Sequence, residues 1–247
     1  MARLPRLLMF TAVLFMTAIG ASPSMAAAQE AAAVVLSIGK NTAQLPQQPS
    51  RDLKRKSSIY TQDLISTGPK GQLQLRFSDA SRFSLREKTV FSVETYQFNK
   101  DTPETGNSVY RLLKGGLRTI TGAISHTNVE HYQVHTPIAT IGVRGTHYTL
   151  FYCDSVCEKD TQATLGLYGY VLEGEIVVKN DAVSAPVSAG RYFFLDNSGR
   201  RLQIKKTPFE IFETVKDLGP VLLNGIDAGS VPATEVLNAR ELAPEYQ

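Results

Sequence analysis

The sequence lacks a charge excess of either sign. Its 247 residues include 26 lysines and arginines against 23 aspartates and glutamates, which gives a formal net charge of +3. Without Arg3 and Arg6, which precede the apolar N-terminal run, the balance is closer still to neutral. Proteins that bind nucleic acid or anionic membranes usually carry a marked basic excess. The composition therefore gives no reason to predict either partner.

Long hydrophobic runs are also scarce, and the one at the N-terminus is too short to span a bilayer comfortably. Residues 7–19 are apolar, follow the two arginines and precede a cluster of small residues at 26–28. This order is typical of a secretory signal. We predict a signal peptide over residues 1–28, cut after Ala28 or Ala26, with an uncleaved anchor as the alternative. The expected product is periplasmic or secreted, without stable membrane insertion.

Cysteine is nearly absent, since Cys153 and Cys157 are the two in the chain. In an exported protein, two cysteines this close in one loop are expected to be oxidised to each other. We predict a structural disulfide at the tip of a hairpin loop, with a small ring and a stabilisation of only about 2 kcal/mol. The alternatives are a redox pair, which favours two intervening residues and a helix N-terminus, and thiols that are free or bound to a metal.

Side chains suited to catalysis or metal binding are few and scattered. The acids without an evident carboxyl partner are Asp79, Glu87, Glu94, Glu173 and Glu175. The histidines are His126, His131, His135 and His147. His131 and His135 could share a strand face, but no acidic or sulfur ligand stands near them at a familiar spacing. We therefore predict a non-enzymatic protein with no catalytic residue, no cofactor and no metal.

What the sequence does contain is a succession of short β-type segments. In residues 72–77 the apolar Leu73, Leu75 and Phe77 alternate with polar residues, and residues 81–86 repeat the alternation after a tight turn. Turn-forming residues recur at a spacing of about ten residues, which is typical of β-sandwiches and rolls. The pattern predicts an all-β fold, an antiparallel sandwich or roll of short strands and hairpins.

The pattern changes near residue 207, before which no segment has a sustained helical period. Phe209, Phe212 and Val215 then fall on one helical face, after a Thr-Pro pair that suits a helix start. We expect this helix to dock on the β-domain and to be followed by a partly disordered tail. The predicted parts are a signal peptide at 1–28, a β-domain at 29–206 and a helical, partly disordered extension at 207–247.

Residues 134–146, with the sequence VHTPIATIGVRGT, predict the central strand of the β-domain. β-forming residues dominate it, and Pro137 removes a ladder donor at its start. Gly142 and Gly145 flank Arg144, where a bulge or a close approach of two backbones would require residues without Cβ. Arg144 could clamp an anion, or its stem could pack while its head bonds backbone carbonyls.

This stretch resembles the signature of the FecR domain, a periplasmic β-domain. Other pieces occur in that family's order: DLISTG at 63–68, LRFSDAS at 75–81, LKGGLR at 113–118, EGEIVV at 173–178 and SAG at 188–190. The resemblance covers roughly residues 33–203 and concerns the fold rather than a chemistry. It implies structural roles for the signature residues Thr136, Pro137, Gly142, Arg144, Gly145 and Thr146, and it favours the packing role for Arg144.

The resemblance also bears on function. Full FecR regulators, as it implies, carry a cytoplasmic anti-sigma segment, a membrane helix and a part that meets an outer-membrane transducer. Only the β-domain behind a signal is recognisable here, so we do not transfer the sigma-signalling role. We predict a cell-envelope module, a signalling or assembly accessory, that binds an envelope protein through an exposed strand edge or the disulfide-stiffened loop.

Two alternatives remain open. One is a peptidoglycan- or polysaccharide-binding protein that uses Tyr168 and Tyr170 in the Gly- and Tyr-rich segment 166–170. The other is a redox or hydrolytic enzyme.

Overall fold

The computed structural model describes residues 28–126 and 130–214. The first strands are β1 (Glu30–Ile38), β2 (Asn41–Gln44), β3 (Arg51–Asp52), β4 (Ser58–Tyr60), β5 (Leu64–Thr67), β6 (Gln72–Phe77), β7 (Arg82–Leu85) and β8 (Val90–Gln97). The others are β9 (Asn107–Ile120), β10 (Tyr132–His135), β11 (Thr140–Cys153), β12 (Gly166–Lys179), β13 (Ser184–Ser188), β14 (Arg191–Asp196) and β15 (Leu202–Lys205). The helices are α1 (Ser155–Thr161) and α2 (Ile211–Thr214), with 3₁₀ turns at Pro103–Thr105 and Ala123–His126.

The strands form one hydrogen-bonded network with the main order β15-β14-β12-β11-β10-β9-β7-β6-β1-β4. All pairings in the described ranges are antiparallel except that of β9 with β10. The predicted all-β class, with a short helix near its C-terminal end, is confirmed. The predicted signal peptide, apart from residue 28, and the predicted tail beyond Thr214 lie outside the described residues.

Two of the three longest strands, β9 and β11, each change partners along their length. The first half of β9 lies between β8 and β10, and its second half lies between β7 and β11. β11 likewise pairs first with β10 and then with β9, while β12 stays on its other side. The inward side chains of these strands and their neighbours form one hydrophobic core.

An aromatic cluster fills that core, and Tyr110 stands at its centre. The Tyr110 ring centroid lies 4.7 Å from that of Phe83, 5.2 Å from Phe77 and 5.4 Å from Tyr132. These side chains come from β6, β7, β9 and β10, which are neighbours in the sheet. Its members are fully or almost fully buried, as the alternation in residues 72–86 predicted for Phe77 and Phe83.

The β6–β7 turn is held by the buried carboxylate of Asp79. Its oxygens accept from the Ser81 amide at 3.0 Å and the Ser81 hydroxyl at 2.8 Å. Burial raises the pKa of Asp79, although bonds from Ser81 and Tyr96 oppose that rise. The Ser81 oxygen in turn accepts the Gly122 amide at 2.8 Å, so this turn anchors the end of β9. An Asp-x-Ser turn predicted from the sequence thus fixes a contact distant in the chain.

The structure divides the stretch 134–146, which the sequence predicted to be one strand. β10 ends at His135, a turn spans residues 136–139, and β11 begins at Thr140. The Thr136 hydroxyl donates to the Ala139 carbonyl at 2.7 Å and accepts the Ala139 amide at 3.0 Å. The prediction of one continuous strand was wrong, because Pro137 cannot donate and the Thr136 side chain satisfies the turn backbone instead.

Two predictions about helices also need correction. Helix α1 lies in a region where no helix was expected, because its seven residues are too few for a sustained period. The C-terminal helix begins at Ile211 rather than beside Pro208, and its described part ends at Thr214. Val215, the third residue of the predicted apolar face, lies outside the described residues.

We predict that Gly122→Ala destabilises the fold by about 2–3 kcal/mol, because overpacking of this kind forces backbone shifts. A Cβ at Gly122 would lie 2.0 Å from the Asp79 carbonyl oxygen and 2.5 Å from the Ser81 amide. Urea unfolding of both proteins would measure the change. The control is Ala80→Gly in the same turn, where φ is +69° and glycine fits freely, so a change below about 1 kcal/mol is expected. Equal stability of Gly122→Ala and the wild type would contradict the proposed anchor.

Candidate functional site

The predicted disulfide is confirmed and joins β11 to the first turn of α1. The Cα atoms of Cys153 and Cys157 lie 5.2 Å apart. The Asp154 side chain caps α1 by accepting the amides of Val156 at 3.2 Å and Cys157 at 3.0 Å. The segment is therefore a capped helix rather than the predicted hairpin loop. An aspartate placed just before a short charged run is the helix-start signal that could have revealed it.

Helix α1 is exposed along its whole length. None of its residues is buried, and Val156 keeps 49% of its surface exposed. Besides the disulfide, Lys88 from the β7–β8 connection bonds Asp160 at 2.8 Å at the surface. The disulfide thus holds the helix near its start, the surface ion pair adds a weaker contact near its end, and its outward side chains stay accessible.

A second region is the outer face of the sheet, which we define as the face of β6, β7, β9, β11, β12 and β14 turned away from the core. Side chains on directly paired residues share a face, so register identifies its members. Paired residues line up across the strands in three rows on this face. The first row is Gly116, Phe151, Tyr168 and Phe194; the second is Ser84, Arg118, Thr149, Tyr170 and Tyr192; the third is Arg76, Arg82, Ile120 and His147. Arg86 follows β7 on the same face, and its amide bonds the Gly116 carbonyl at 3.0 Å.

The outer face has two chemically distinct halves. The aromatic half consists of Phe151, Tyr168, Tyr170, Tyr192 and Phe194, on the strands towards β15. The arginine half consists of Arg76, Arg82, Arg86 and Arg118, with Ile120 between them, on the strands towards β1. The alternating strand period brings these residues together although they are far apart in sequence.

The C-terminal segment covers the aromatic half. The Phe209 ring lies 5.9 Å from Tyr168 and 5.9 Å from Phe194, and Phe212 meets the Tyr192 ring edge-on at 5.1 Å. Phe212 is buried by this contact. The segment after β15 therefore folds back over the sheet and packs on its outer face.

The C-terminal segment limits the access of ligands to the tyrosines considered for glycan binding. Tyr168 is only 4% exposed, and its hydroxyl donates to the Thr164 carbonyl at 2.8 Å. Tyr170 is half-buried and stacks on Tyr192 with centroids 4.2 Å apart. Tyr168 is thus a packing residue and offers no open ring to a sugar.

His147 lies at the border of the two halves. Its Nε2 accepts a hydrogen bond from Arg118 Nε at 2.9 Å. Burial, helped by the positive charge of Arg118, lowers the pKa of His147 to about 4. The imidazole is therefore neutral at physiological pH, which is the form that can accept from arginine.

His135, one of the two histidines that could share a strand face, bonds an acid from another strand. His135 Nδ1 lies 2.8 Å from Glu94 Oε2, and the other Glu94 oxygen accepts from Arg111 Nε. Burial favours a higher pKa for Glu94, but the bonds from Arg111 and His135 outweigh it and lower the pKa. Glu94 comes from β8, two strands away from β10, so no ligand spacing in the sequence indicates this contact. Across the described ranges, no three His, Cys, Asp or Glu side chains are grouped to hold a metal ion.

The signature residues surround a turn and a bulge. Thr136 and Pro137 form the β10–β11 turn, and Gly142 pairs between β10 and β12. The β11–β12 register shifts after Arg144, and Gly145 has φ of +55°. Thr146 Oγ1 donates to the Glu175 carbonyl at 2.8 Å and thereby closes the bulge.

Arg144 departs from its expected role. Its side chain is exposed, and among residues 28–126 and 130–214 its guanidinium has no hydrogen-bond or ion-pair partner. The expected bonds to backbone carbonyls are therefore absent in this part of the chain. Within the same ranges, no helix combines the length and apolarity needed to traverse a bilayer.

Comparison with known proteins gives a match to a family model over part of the chain. Residues 63–177, just under half of the sequence, match the family model described as FecR protein. Two crystal structures of a protein from Parabacteroides distasonis ATCC 8503, described as a candidate anti-sigma factor, are similar in structure. Their TM-scores are 0.44 and 0.43, each at 16% identity over 57% of this chain and 58% of that chain. The chain thus spans less than two thirds of that protein, and comparison with curated proteins gives no match.

We predict that His147→Gln flattens the pH dependence of stability between pH 6.5 and 4. In this window His147 is protonated in the unfolded chain but stays neutral in the folded chain, where its pKa is about 4. The free energy of unfolding should therefore fall as the pH drops, by about 1–3 kcal/mol, and the variant should lose this fall. Urea unfolding at pH 7, 5.5 and 4.5 measures it, with His126→Gln, which removes an exposed imidazole, as the control. A variant with the wild-type pH profile would contradict the assignment.

Proposed function

From the match of residues 63–177 to the FecR family model, we propose that the chain is an exported, non-enzymatic protein-binding module of the cell envelope. FecR domains are typically periplasmic, which agrees with the signal peptide predicted over residues 1–28. The module would act as a signalling or assembly accessory that holds an envelope protein. The observation that carries the proposal is helix α1, which is exposed along its length yet rigidly attached.

The rigidity of α1 matters because association costs conformational entropy. A surface element that is already ordered loses less freedom on binding than a flexible loop of the same composition. The disulfide and the Asp154 cap hold α1 in one conformation, and Val156 offers an apolar contact at its exposed side. These features support α1 as the docking element.

The second docking route considered, addition of a strand to an open edge, is less well supported. β13 pairs with β12 on one side, but Pro186 at its centre lacks a donor for a new ladder. β15 pairs with β14 and has only four residues, which offers few backbone groups to a partner. Short strands and prolines are the usual means by which proteins blunt sheet edges.

We predict that a photo-crosslinking residue at Val156 captures one envelope protein in cells, and that removing the disulfide weakens this capture several-fold. The double variant Cys153→Ser, Cys157→Ser should lose about 2 kcal/mol of stability and remain folded, because the closed ring is small. The control position is Lys100, which is exposed on the β8–β9 connection. Mass spectrometry of the adducts is the measurement.

The outcomes separate the possibilities. Capture that is unchanged without the disulfide would remove α1 rigidity from the mechanism, and identical adducts from Val156 and Lys100 would indicate non-specific contact. Sedimentation of the purified protein with sacculi, without a protein adduct, would support the peptidoglycan alternative instead. A Val156→Ser variant keeps the disulfide and tests the apolar contact separately.

A further inference from the structure

Neighbouring strands of the outer face form a series centred on β9. Where β9 pairs with β11, the order across the face is β14-β12-β11-β9-β7-β6-β1, so three strands lie on each side of β9. A two-fold axis parallel to β9 and just above this face would place β11 of a second copy over β7. The same axis would place its β12 over β6 and its β14 over β1. The two sides of β9 can therefore be compared as possible partners.

One row of paired residues crosses five of these strands and carries opposite charges at its two ends. It consists of Arg76 on β6, Arg82 on β7, Ile120 on β9, His147 on β11 and Glu173 on β12. Arg76, Arg82 and Glu173 are exposed, and within the described ranges none of the three forms an ion pair. His147 is neutral at physiological pH. The charge along the row therefore changes from positive to negative across Ile120.

These opposite charges lie too far apart to bind each other within one copy. Arg76 and Glu173 are separated by four strand spacings, or about 20 Å, and surface charges are largely screened beyond about 8 Å at physiological salt. Arg76 also stands directly opposite Arg82, where like charges destabilise the ladder. Glu175, the next acid on β12, stands opposite Arg144 and lies outside the row. The arginines and Glu173 thus have their charges directed to the surface without mutual neutralisation.

A second copy of the chain brings the opposite charges together. Ile120 lies at the middle of the row, two strand spacings from Arg76 and two from Glu173. A two-fold axis over Ile120 places Arg76 of each copy opposite Glu173 of the other, and Ile120, which is 44% exposed, opposite itself. Such self-complementarity is what an isologous interface requires. Guanidinium groups bind carboxylates well, because the planar fork can form two parallel hydrogen bonds.

The covered and uncovered sides of the outer face match under the same rotation. Over β12 and β14, the segment that holds Phe209 and Phe212 stands on the sheet. On the other side, Leu36 and Ile38 of β1 are 36% and 47% exposed. The axis over Ile120 places the raised side of each copy over the open side of the other. Apolar surface at Leu36 and Ile38 would then be removed from water, which favours association.

One group near the axis opposes this arrangement. Arg118 lies on β9 two residues before Ile120 and would approach its own copy across the axis. Its side chain is half-buried, and its Nε donates to His147 of the same chain at 2.9 Å. The guanidinium is therefore directed along its own sheet, which limits the repulsion between the two copies.

We propose that two copies of the chain associate through the outer face about a two-fold axis over Ile120, with Arg76 of each copy bound to Glu173 of the other. The partner of the arginine half is thus a second copy of this chain. The charged contacts lie at the surface, so salt weakens them. This inference goes beyond the proposed function and does not depend on α1.

Charge reversal at the two ends of the row tests the pairing. Arg76→Glu places two acids opposite each other across the interface, and Glu173→Arg places two arginines there. Arg76→Glu also removes the repulsion from Arg82 within the monomer, so this variant should fold. Sedimentation velocity over a concentration series measures the self-association of the purified protein. The control is Arg200→Glu on the β14–β15 connection, which is exposed and changes the net charge equally.

We expect each reversal to weaken self-association about tenfold, because every dimer contains the pair twice. An equimolar mixture of the two variants should associate to within about threefold of the wild type, since each reversed end then meets an opposite charge. Arg200→Glu should behave as the wild type does. A wild type that stays monomeric, variants that associate as well as the wild type, or a mixture that associates no better than its components would each overturn the proposal.

The position of the axis has a test of its own. In the Ile120→Cys variant the two thiols face each other across the axis, so a short bismaleimide should join two copies, because packed sheets lie about 10 Å apart. Gln74→Cys is the control on the same face, since its two copies would lie about 20 Å apart along the row direction. Crosslinking of Gln74→Cys but not of Ile120→Cys would place the axis elsewhere and overturn the proposal.

Discussion

The pairing of β11 with β9 is the constraint on which the rest of the structure depends. It joins the second halves of two strands whose first halves both pair with β10, so it fixes where each strand changes partner. The bulge after Arg144 lets β11 make this exchange while it keeps β12 as its other neighbour. The aromatic core, the outer face and the position of α1 at the end of β11 all follow from that geometry.

The parts that sequence predicted well are those in which a local pattern decides the structure. The alternation around Leu75 and Phe83 and the turn at Asp79 specify a hairpin almost alone, because side-chain period and turn chemistry act within a few residues. The disulfide was predictable for the same reason, since its cysteines are close in the chain. The turn that begins at Thr136 was not predicted, because a proline is compatible with either a strand start or a turn. Only the pairing with β9 and β12 decides between these two structures.

The parts that could not be predicted are contacts between distant segments. The Glu94–His135 bond joins β8 to β10 across β9, and no spacing in the sequence encodes it. Burial of His147 and its bond to Arg118 likewise depend on how β11 meets β9. Tyr168 looked as available to a ligand as any strand tyrosine until the segment holding Phe209 was seen to fold back over it. Side-chain chemistry was readable from the sequence, but accessibility was not.

Overall charge illustrates the same limit. A chain with nearly balanced charges produces little long-range field, which is why composition argued against nucleic acid or anionic membranes as partners. Balance over the whole chain does not prevent segregation, however, because the strand period gathers arginines from three strands on one face. A net charge near zero therefore limits the electric field far from the protein, whereas the register of the strands decides which charged side chains lie next to one another.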